Sequence, residues 1–414
     1  MSTPITELQV HVDRGASPTR AGTAYFTHGR RGVTTSFVYD AAYLADPRSV
    51  DLEPALPLRS GQQYVDGLPG CFGDSAPDRW GRMLLDKRHR AAQRTADRRL
   101  PSLTDADHLV GVSDLTRQGD LRFSVDGGPF LDPGHEVPKL VELPHLLDAA
   151  DHAEGGDDLA AVKELLDAGS GSLGGARPKA SVRGDDDRLL IAKFPHRSDG
   201  WDVMAWEATV LDLAEAAGIR TPSRQLVRVG GRSVLLLERF DREPGGRRIG
   251  YLSAMSLLGT RDGDERDYLD IAEVLPEHGA QVTADLTELY RRVVLSVAVH
   301  STDDHLRNHG FLRARGGWRL SPVFDVNPEP DPGRGRVTSI AGAVAPDDEP
   351  EGLLALAGEC RLDAGEARAV VREVCGAVAG WREVARRHGI SAGEQERFAE
   401  VLDERVGTLV RLST

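Results

Sequence analysis

Three polar residues stand in an order that phosphoryl transfer can use. Asp303 and Asn308 lie in Val299-His300-Ser301-Thr302-Asp303-Asp304-His305-Leu306-Arg307-Asn308, and Asp325 follows in Leu320-Ser321-Pro322-Val323-Phe324-Asp325-Val326. In such a set the first carboxylate accepts or orients the proton of an attacking hydroxyl. The amide and the second carboxylate hold Mg²⁺ on nucleotide phosphates, where charge develops in the transition state. Asp304 is a second acid beside Asp303, and the spacing to Asn308 picks Asp303 as the base. The plain structural reading is a polar turn between a helix and a strand.

The elements that would have to position these groups can be found upstream. Ser170-Gly171-Ser172-Leu173-Gly174-Gly175-Ala176-Arg177-Pro178-Lys179 concentrates glycine between a predicted helix and a predicted strand. Glycine lets backbone N–H groups approach phosphates and tolerates the positive φ of such a cradle, although a hinge would use the same residues. Arg188 to Pro195 reads as a short strand carrying Lys193, a charge suited to phosphates or, alternatively, an exposed edge lysine. Trp201 to Gly218 has helical periodicity. Glu207 on that helix is the candidate partner for Lys193, with Asp212 and Glu215 as alternatives on the same helix. Ser233 to Arg242 reads as a buried strand entering a polar turn, and Glu238, Arg239 and Phe240 are where a nucleotide base would meet backbone groups. A core strand with a charged exit is the other reading.

The Asp-x-x-x-x-Asn spacing matches the protein-kinase catalytic loop, and Asp303-Asp304-His305-x-x-Asn308 is similar to the corresponding loop of phosphoinositide kinases. The ordered set resembles the HipA family of serine/threonine kinases, toxin components of bacterial toxin–antitoxin pairs. The motifs that carry this are Ser172 to Lys179, Ala192-Lys193-Phe194-Pro195, Glu238-Arg239-Phe240-Asp241-Arg242 and Thr302 to Asn308, with Leu68 to Gly81 similar to a segment of the family's N-terminal subdomain. The resemblance implies Asp303 as catalytic base and Asn308 and Asp325 as Mg²⁺ ligands. It implies an ATP site lined by Gly174, Gly175, Ala176, Lys179, Lys193, Glu238, Arg239, Phe240 and His305. Ser172 falls where the family carries a loop serine that is autophosphorylated, which would place a phosphate of roughly two negative charges where ATP phosphates bind; Ser170 is the other candidate. A protein substrate, with aminoacyl-tRNA synthetases as the implied class, and a HipB-like DNA-binding antitoxin are the partners the resemblance implies, DNA being contacted only through the antitoxin.

Composition sets bounds on these readings. The chain has 414 residues, and Lys+Arg 51 against Asp+Glu 65 give a net charge of −14, which disfavours non-specific adhesion to nucleic acid. A basic group from Arg79 to Arg99 could contact nucleic acid, but reads first as one solvated face of a helix from Pro77 to about Asp97, with Trp80, Met83 and Leu84 inward. Three widely spaced cysteines, Cys71, Cys360 and Cys375, suit neither a disulfide framework nor a zinc site. No basic-then-apolar leader and no apolar run of spanning length is present, so a cytoplasmic protein without membrane contact is expected.

The expected fold is α+β: a two-lobed protein-kinase-like fold with a β-rich N-terminal subdomain and a mainly helical C-terminal lobe. The predicted divisions are 1–150, 151–245 with the glycine-rich loop, and 246–414 with the catalytic and metal-binding loops. Alternation between Thr6 and Val50 predicts a small antiparallel sheet. Helices are predicted over Asp157–Ala168, Leu286–His300, Ala364–His388 and Ser391–Leu412. The Pro- and Asp-rich stretch Asn327 to Glu351 is either an activation segment or a surface loop. Two further functions fit the same residues. A small-molecule phosphotransferase of the aminoglycoside- or choline-kinase type shares the Asp, Asn, Asp order, but usually carries a His two residues before the Asp, whereas His300 lies three before Asp303. A non-catalytic nucleotide-binding regulatory module is the other.

Overall fold

Leu8, Val10 and Val12 alternate with Gln9 and His11, and the chain there forms the strand Glu7–Val12 with those three apolar side chains buried. Strands Thr19–Gly29 and Gly32–Tyr39 follow where the sequence predicts a sheet, but alternation gives way to runs of buried residues at Ala21–Ala24 and Thr35–Phe37 in the middle of the sheet. In this computed structural model the described residues are 5–13, 15, 17–29, 32–95, 101–131, 137–156, 158–170, 175 and 177–413. They divide into two units, Met1–Arg197 with Arg228–Leu252, and Ser198–Val227 with Ser253–Thr414. The fold is mixed α/β, with sheets in the N-terminal part and a helical C-terminal part.

The first unit opens with a five-stranded antiparallel sheet in the order Gln62–Asp66, Gly32–Tyr39, Thr19–Gly29, Glu7–Val12 and Leu121–Ser124. Its buried face meets the short helix Gly70–Ser75 through edge-on aromatic contacts: Phe72 lies 6.2 Å from Phe37 and 5.2 Å from Phe123, ring centre to ring centre. Such pairs add to the burial of each ring. The predicted basic helix forms over Arg79–Thr95 with Trp80 and Leu84 buried; Met83 is half-buried. The predicted helix before the glycine loop is Leu159–Asp167, capped by Asp158. A second antiparallel sheet pairs Lys179–Arg183 with Leu189–Lys193, and the latter with Arg232–Glu238. The strand Leu189–Lys193 agrees with the sequence reading.

In the second unit, helix Val203–Ala216 is buried almost all round, which its near-continuous apolar sequence requires. Trp206 packs 4.1 Å from Phe398 and 5.8 Å from Trp381. That packing accounts for one departure from expectation. The single helix predicted over Ala364–His388 is two, Ala364–Val378 and Trp381–Arg387, separated at Ala379-Gly380. The break turns Trp381 inward, where it is 1% exposed and its Nε1–H donates to Asp403 at 3.2 Å. The final helix is Ala392–Leu412 with Ser391 as N-cap. Helices Leu143–Gly155 and Tyr268–His278 add to those predicted, and each buries apolar residues at helical spacing: Leu143, Leu146, Leu147 and Ala150 in the first, Tyr268, Ile271, Ala272 and Leu275 in the second. Among the described residues, no helix is long and apolar enough to cross a membrane.

Glu53 is the group through which the first unit's stability is expected to depend on pH. Its buried carboxylate accepts the Cys71 N–H at 2.5 Å, in the first turn of the helix Gly70–Ser75. Burial, more than offsetting that hydrogen bond, pushes its pKa up from 4.5 to about 7. Between those values the folded protein holds a proton that the unfolded chain releases, so this group's stability contribution is intact below 4.5 and declines as pH rises to about 7. The decline is on the order of 3 kcal/mol. Glu53→Gln is expected to gain on wild type in denaturant midpoint between about pH 5 and about pH 7.5; a parallel pH response of the two proteins would contradict the assignment.

Candidate active site

The loop that carries Asp303 and Asn308 is launched by the end of helix Val282–Ala298. Val299 closes the helix and His300 adopts φ +52, while His300 N–H donates to Val297 O (3.1 Å) and Ser301 N–H to Ser296 O (2.8 Å). This is the paired C-terminal pattern in which one left-handed residue satisfies the last carbonyls, here made by a histidine where glycine is usual. His300 is fully buried, and its Nε2 lies 2.8 Å from Asp331 O, which offsets the backbone strain.

The two adjacent acids that follow are placed differently. Asp303 is exposed. Asp304 is buried, accepts the Tyr268 hydroxyl at 2.5 Å, and has Oδ1 at 3.0 Å from His309 Nε2. Burial alone would raise the Asp304 pKa, yet His309, Tyr268 and Arg336 hold it below the usual carboxylate value. A short 3₁₀ turn, Leu306–Asn308, then buries Asn308, whose Nδ2–H donates to Asp303 O at 3.3 Å. His305, at the start of that turn, is half-buried. The hairpin Gly310–Ala314 with Gly317–Leu320 returns the chain, and Asp325 follows at φ +59. Positive φ is uncommon outside glycine, and a residue held there is over-determined by its surroundings. Part of that surrounding is Glu207: fully buried, it accepts the Asp325 N–H at 3.3 Å through Oε1.

The alternatives to Glu207 are committed elsewhere. Asp212 lies 2.6 Å from Arg224 and 2.8 Å from His388, and Glu215 lies 2.6 Å from Arg224. Within the second unit, then, Asp303, His305 and Asn308 share one loop, and Glu207 meets Asp325.

The first unit carries the remaining expected residues. Ser172, Gly174 and Ala176 lie outside the described residues; Gly175 has φ +111, a conformation that requires glycine. Ser170 is fully buried. Lys179 and Lys193 face each other across the strand pair, so both side chains project to the same face. Both are buried, and two cations there would repel. Asp78 provides the compensation: its Oδ2 accepts from Lys179 Nζ at 2.6 Å, while its Oδ1 accepts the Gly81 N–H at 2.7 Å. Asp78 belongs to the Leu68–Gly81 motif, so that motif is structurally tied to the glycine-loop strand.

Glu238 is half-buried and pairs with Arg188 at 2.9 Å. Arg239 is buried, and its guanidinium donates to Thr116 O (2.5 Å), Arg117 O (3.3 Å) and both Asp241 oxygens. Arg242 donates to Arg117 O, Gly119 O and Asp241. Burial brings the Arg242 guanidinium down to about 9, whereas Arg239 and Arg242 hold Asp241 well below the usual carboxylate range against its own burial. Arg239 thus locks the segment to the 116–119 loop, its own N–H donates to Leu189 O at 3.2 Å, and Phe240 is half-buried with its ring centre 6.3 Å from that of Tyr251. A cavity of about 450 Å³ borders Glu238, Arg239 and Arg242 at the Arg183–Leu189 end of the sheet; neither Lys179 nor Lys193 lines it. Strand register puts Lys193 about 13 Å from Leu189.

Sequence reasoning missed Tyr268, His309, Arg336 and Asp78. His309 directly follows Asn308, which is a signal of position; Tyr268 and Arg336 are distant in sequence and carry none.

With this geometry in place, comparison with known proteins is informative. The description HipA-like C-terminal domain matches residues 171–381, and HipA N-terminal domain matches residues 16–106. Fold and matched regions together define a two-domain mixed α/β protein of that kind. The chain belongs to the HipA family. A relative from Sinorhizobium fredii named "Putative kinase Y4mE" is 24% identical over 331 residues, 73% of each chain. Among solved structures, a chain of the Shewanella oneidensis MR-1 toxin–antitoxin complex of HipA, HipB and operator DNA superposes with a TM-score of 0.67 at 14% identity, covering 98% of this chain and 97% of that one. At that identity the likeness is one of fold.

The Asp78–Lys179 pair yields a test. Asp78→Ala would remove the carboxylate that accepts from the buried Lys179 ammonium, and the expected loss is about 3–5 kcal/mol of unfolding free energy. Urea unfolding of wild type and variant measures it, and a loss below about 1 kcal/mol would show that the pair is not a structural anchor.

Proposed function

We propose that this chain is an ATP-dependent protein serine/threonine kinase of the HipA toxin type. The observation that carries the reading is the division of labour on one loop: Asp303 is exposed while its neighbour Asp304 is buried and paired. Only Asp303 is free to receive a proton from a substrate hydroxyl. Family membership and the kinase name of the Sinorhizobium relative support the same reading.

In the proposed reaction Asp303 accepts the hydroxyl proton, the hydroxyl oxygen bonds to the γ-phosphorus, and the bond to the β–γ bridging oxygen breaks, releasing ADP. Lys193 contributes charge for the phosphates, and the Gly174–Ala176 backbone contributes N–H donors. The Glu238–Phe240 backbone and His305 receive the nucleoside. The donor set suits Mg²⁺ arriving with nucleotide: one amide, Asn308, and one carboxylate, Asp325, are what a phosphate-borne Mg²⁺ uses. Among the described residues no group of three or more His, Cys, Asp or Glu side chains is arranged to hold a metal by itself. When bound, Mg²⁺ would neutralise developing phosphate charge.

Ser172 is the proposed autophosphorylation site, a choice that the full burial of Ser170 supports. The Shewanella complex contains HipB and operator DNA, and a HipB-like antitoxin is the proposed partner. The net charge of −14 fits DNA contact through that partner rather than directly.

The test is incubation of wild type and Asp303→Asn with Mg²⁺ and γ-labelled ATP, alone and with lysate, followed by phosphosite mapping. Label on Ser172 and on a lysate protein is expected, reduced at least about 100-fold in the variant. ATP binding without protein labelling, or label passing only to a small molecule, would move the assignment to a small-molecule phosphotransferase or a regulatory module. An active enzyme with Ser172 unmodified would remove the autophosphorylation switch.

A further inference from the structure

Asp303 is exposed, so its position is set by the residues on either side of it. Both sides are braced by one piece of chain. On the N-terminal side, Thr302 O accepts the Val337 N–H at 2.9 Å, and His300 O accepts the Glu329 N–H at 3.0 Å. On the C-terminal side, Asp304 Oδ2 accepts the Tyr268 hydroxyl at 2.5 Å. Arg336, the residue before Val337, reaches that hydroxyl with Nη1 at 3.5 Å and donates through Nε to Glu349 Oε1 at 2.7 Å. Tyr268, Arg336, Asp304 and Glu349 are all buried.

The same irregular segment is tied to the base of Tyr268 as well. Tyr268 N–H donates to Ser339 O at 3.0 Å, and Ser339 N–H donates to Arg266 O at 3.1 Å. Asp267, the N-cap of helix Tyr268–His278, accepts from Ser339 Oγ (2.6 Å), Ala341 N–H (2.9 Å) and Gly342 N–H (2.7 Å). The stretch between Asn327 and Glu349 is therefore fastened to the catalytic loop at both faces of Asp303, not left as a plain surface loop.

We infer that Tyr268 and Arg336 are positioning residues for Asp303, joining residues 329–342 to Asp304 so that this segment sets where the Asp303 carboxylate stands. The inference rests on the reading of Asp303 as the catalytic base. Asp304 is held at both oxygens, by His309 at Oδ1 and by Tyr268 at Oδ2; with the tyrosine hydroxyl removed only the His309 contact remains, the carboxylate gains freedom about it, and the exposed neighbour moves with it. Small displacements of a catalytic group reduce turnover far more than they reduce nucleotide affinity.

The experiment compares wild type, Tyr268→Phe, Asp304→Ala and Asp304→Asn. Maximal label transfer from γ-labelled Mg-ATP to the chain and to casein, half-saturating ATP, and amide exchange by mass spectrometry are measured together. Tyr268→Phe is expected to lower the maximal rate about 10- to 100-fold with half-saturating ATP within about threefold of wild type. Asp304→Asn, which keeps an oxygen for the Tyr268 hydroxyl, is expected to recover at least about tenfold of what Asp304→Ala loses. Faster exchange of the Glu329 and Val337 amides in Tyr268→Phe is expected alongside. A wild-type maximal rate in Tyr268→Phe, or Asn and Ala variants equally impaired, would overturn the positioning role. If wild type itself transfers no label, the kinase reading fails; the exchange of Glu329 and Val337 then still decides the tether, and unchanged exchange overturns it.

Discussion

A buried carboxylate cannot stay ionised without partners, and Asp304 imposes that constraint on the second unit. Removing an ion from water costs several kcal/mol unless hydrogen bonds and opposite charge restore the loss. Tyr268, His309 and Arg336 meet the requirement from three different stretches of chain. Meeting it brings together helix Tyr268–His278, the loop that carries Asp303 and the segment that leads to helix Glu349–Glu359. Arg336 is in turn balanced by Glu349, beside which Arg405 of the last long helix lies at 3.8 Å. One acid next to the candidate base thus organises several elements around it.

The first unit solves a similar problem with different residues. Asp241 is enclosed by Arg239 and Arg242, and both arginines also bond the carbonyls of the 116–119 loop. Asp78 balances Lys179 where two lysines share a sheet face. In one case a charged side chain, Asp78, and in the other the backbone carbonyls of Thr116, Arg117 and Gly119 meet the second sheet from the N-terminal region, so the glycine-loop strand and the turn after Glu238 are shaped by residues more than a hundred positions earlier. A buried ion pair of this type adds little net stability over a well-packed apolar pair, whereas removing one partner alone is costly.

The sheets and long helices were legible because burial writes a period into the sequence. Leu8, Val10 and Val12 alternate as a half-buried strand must, and Val203 to Ala214 repeats as a buried helix must. The split at Ala379-Gly380 was not legible, because the apolar period runs through it and the gain comes from Trp381 packing on Trp206. The segment after Asp325 was legible only as rich in proline and aspartate. Its fastening to Thr302 and Asp267 runs through backbone groups and single side chains, which leave no periodic trace.

By itself the sequence determined the order of the candidate chemical groups: Lys193, Asp303, Asn308 and Asp325 stand in a succession that phosphoryl transfer could use, with Glu207, Asp212 and Glu215 left as alternatives on one helix. It also determined the family, since several motifs in one order are improbable otherwise. Tertiary structure alone decided which of two adjacent acids is buried, and which of three acids on helix Val203–Ala216 meets Asp325. It alone decided that Lys179 is neutralised by Asp78. These are questions of which side chain faces water and which faces a partner from a distant stretch. Spacing along the chain carries no information about that; the desolvation of a charge, paid or unpaid, is settled only where the chain packs.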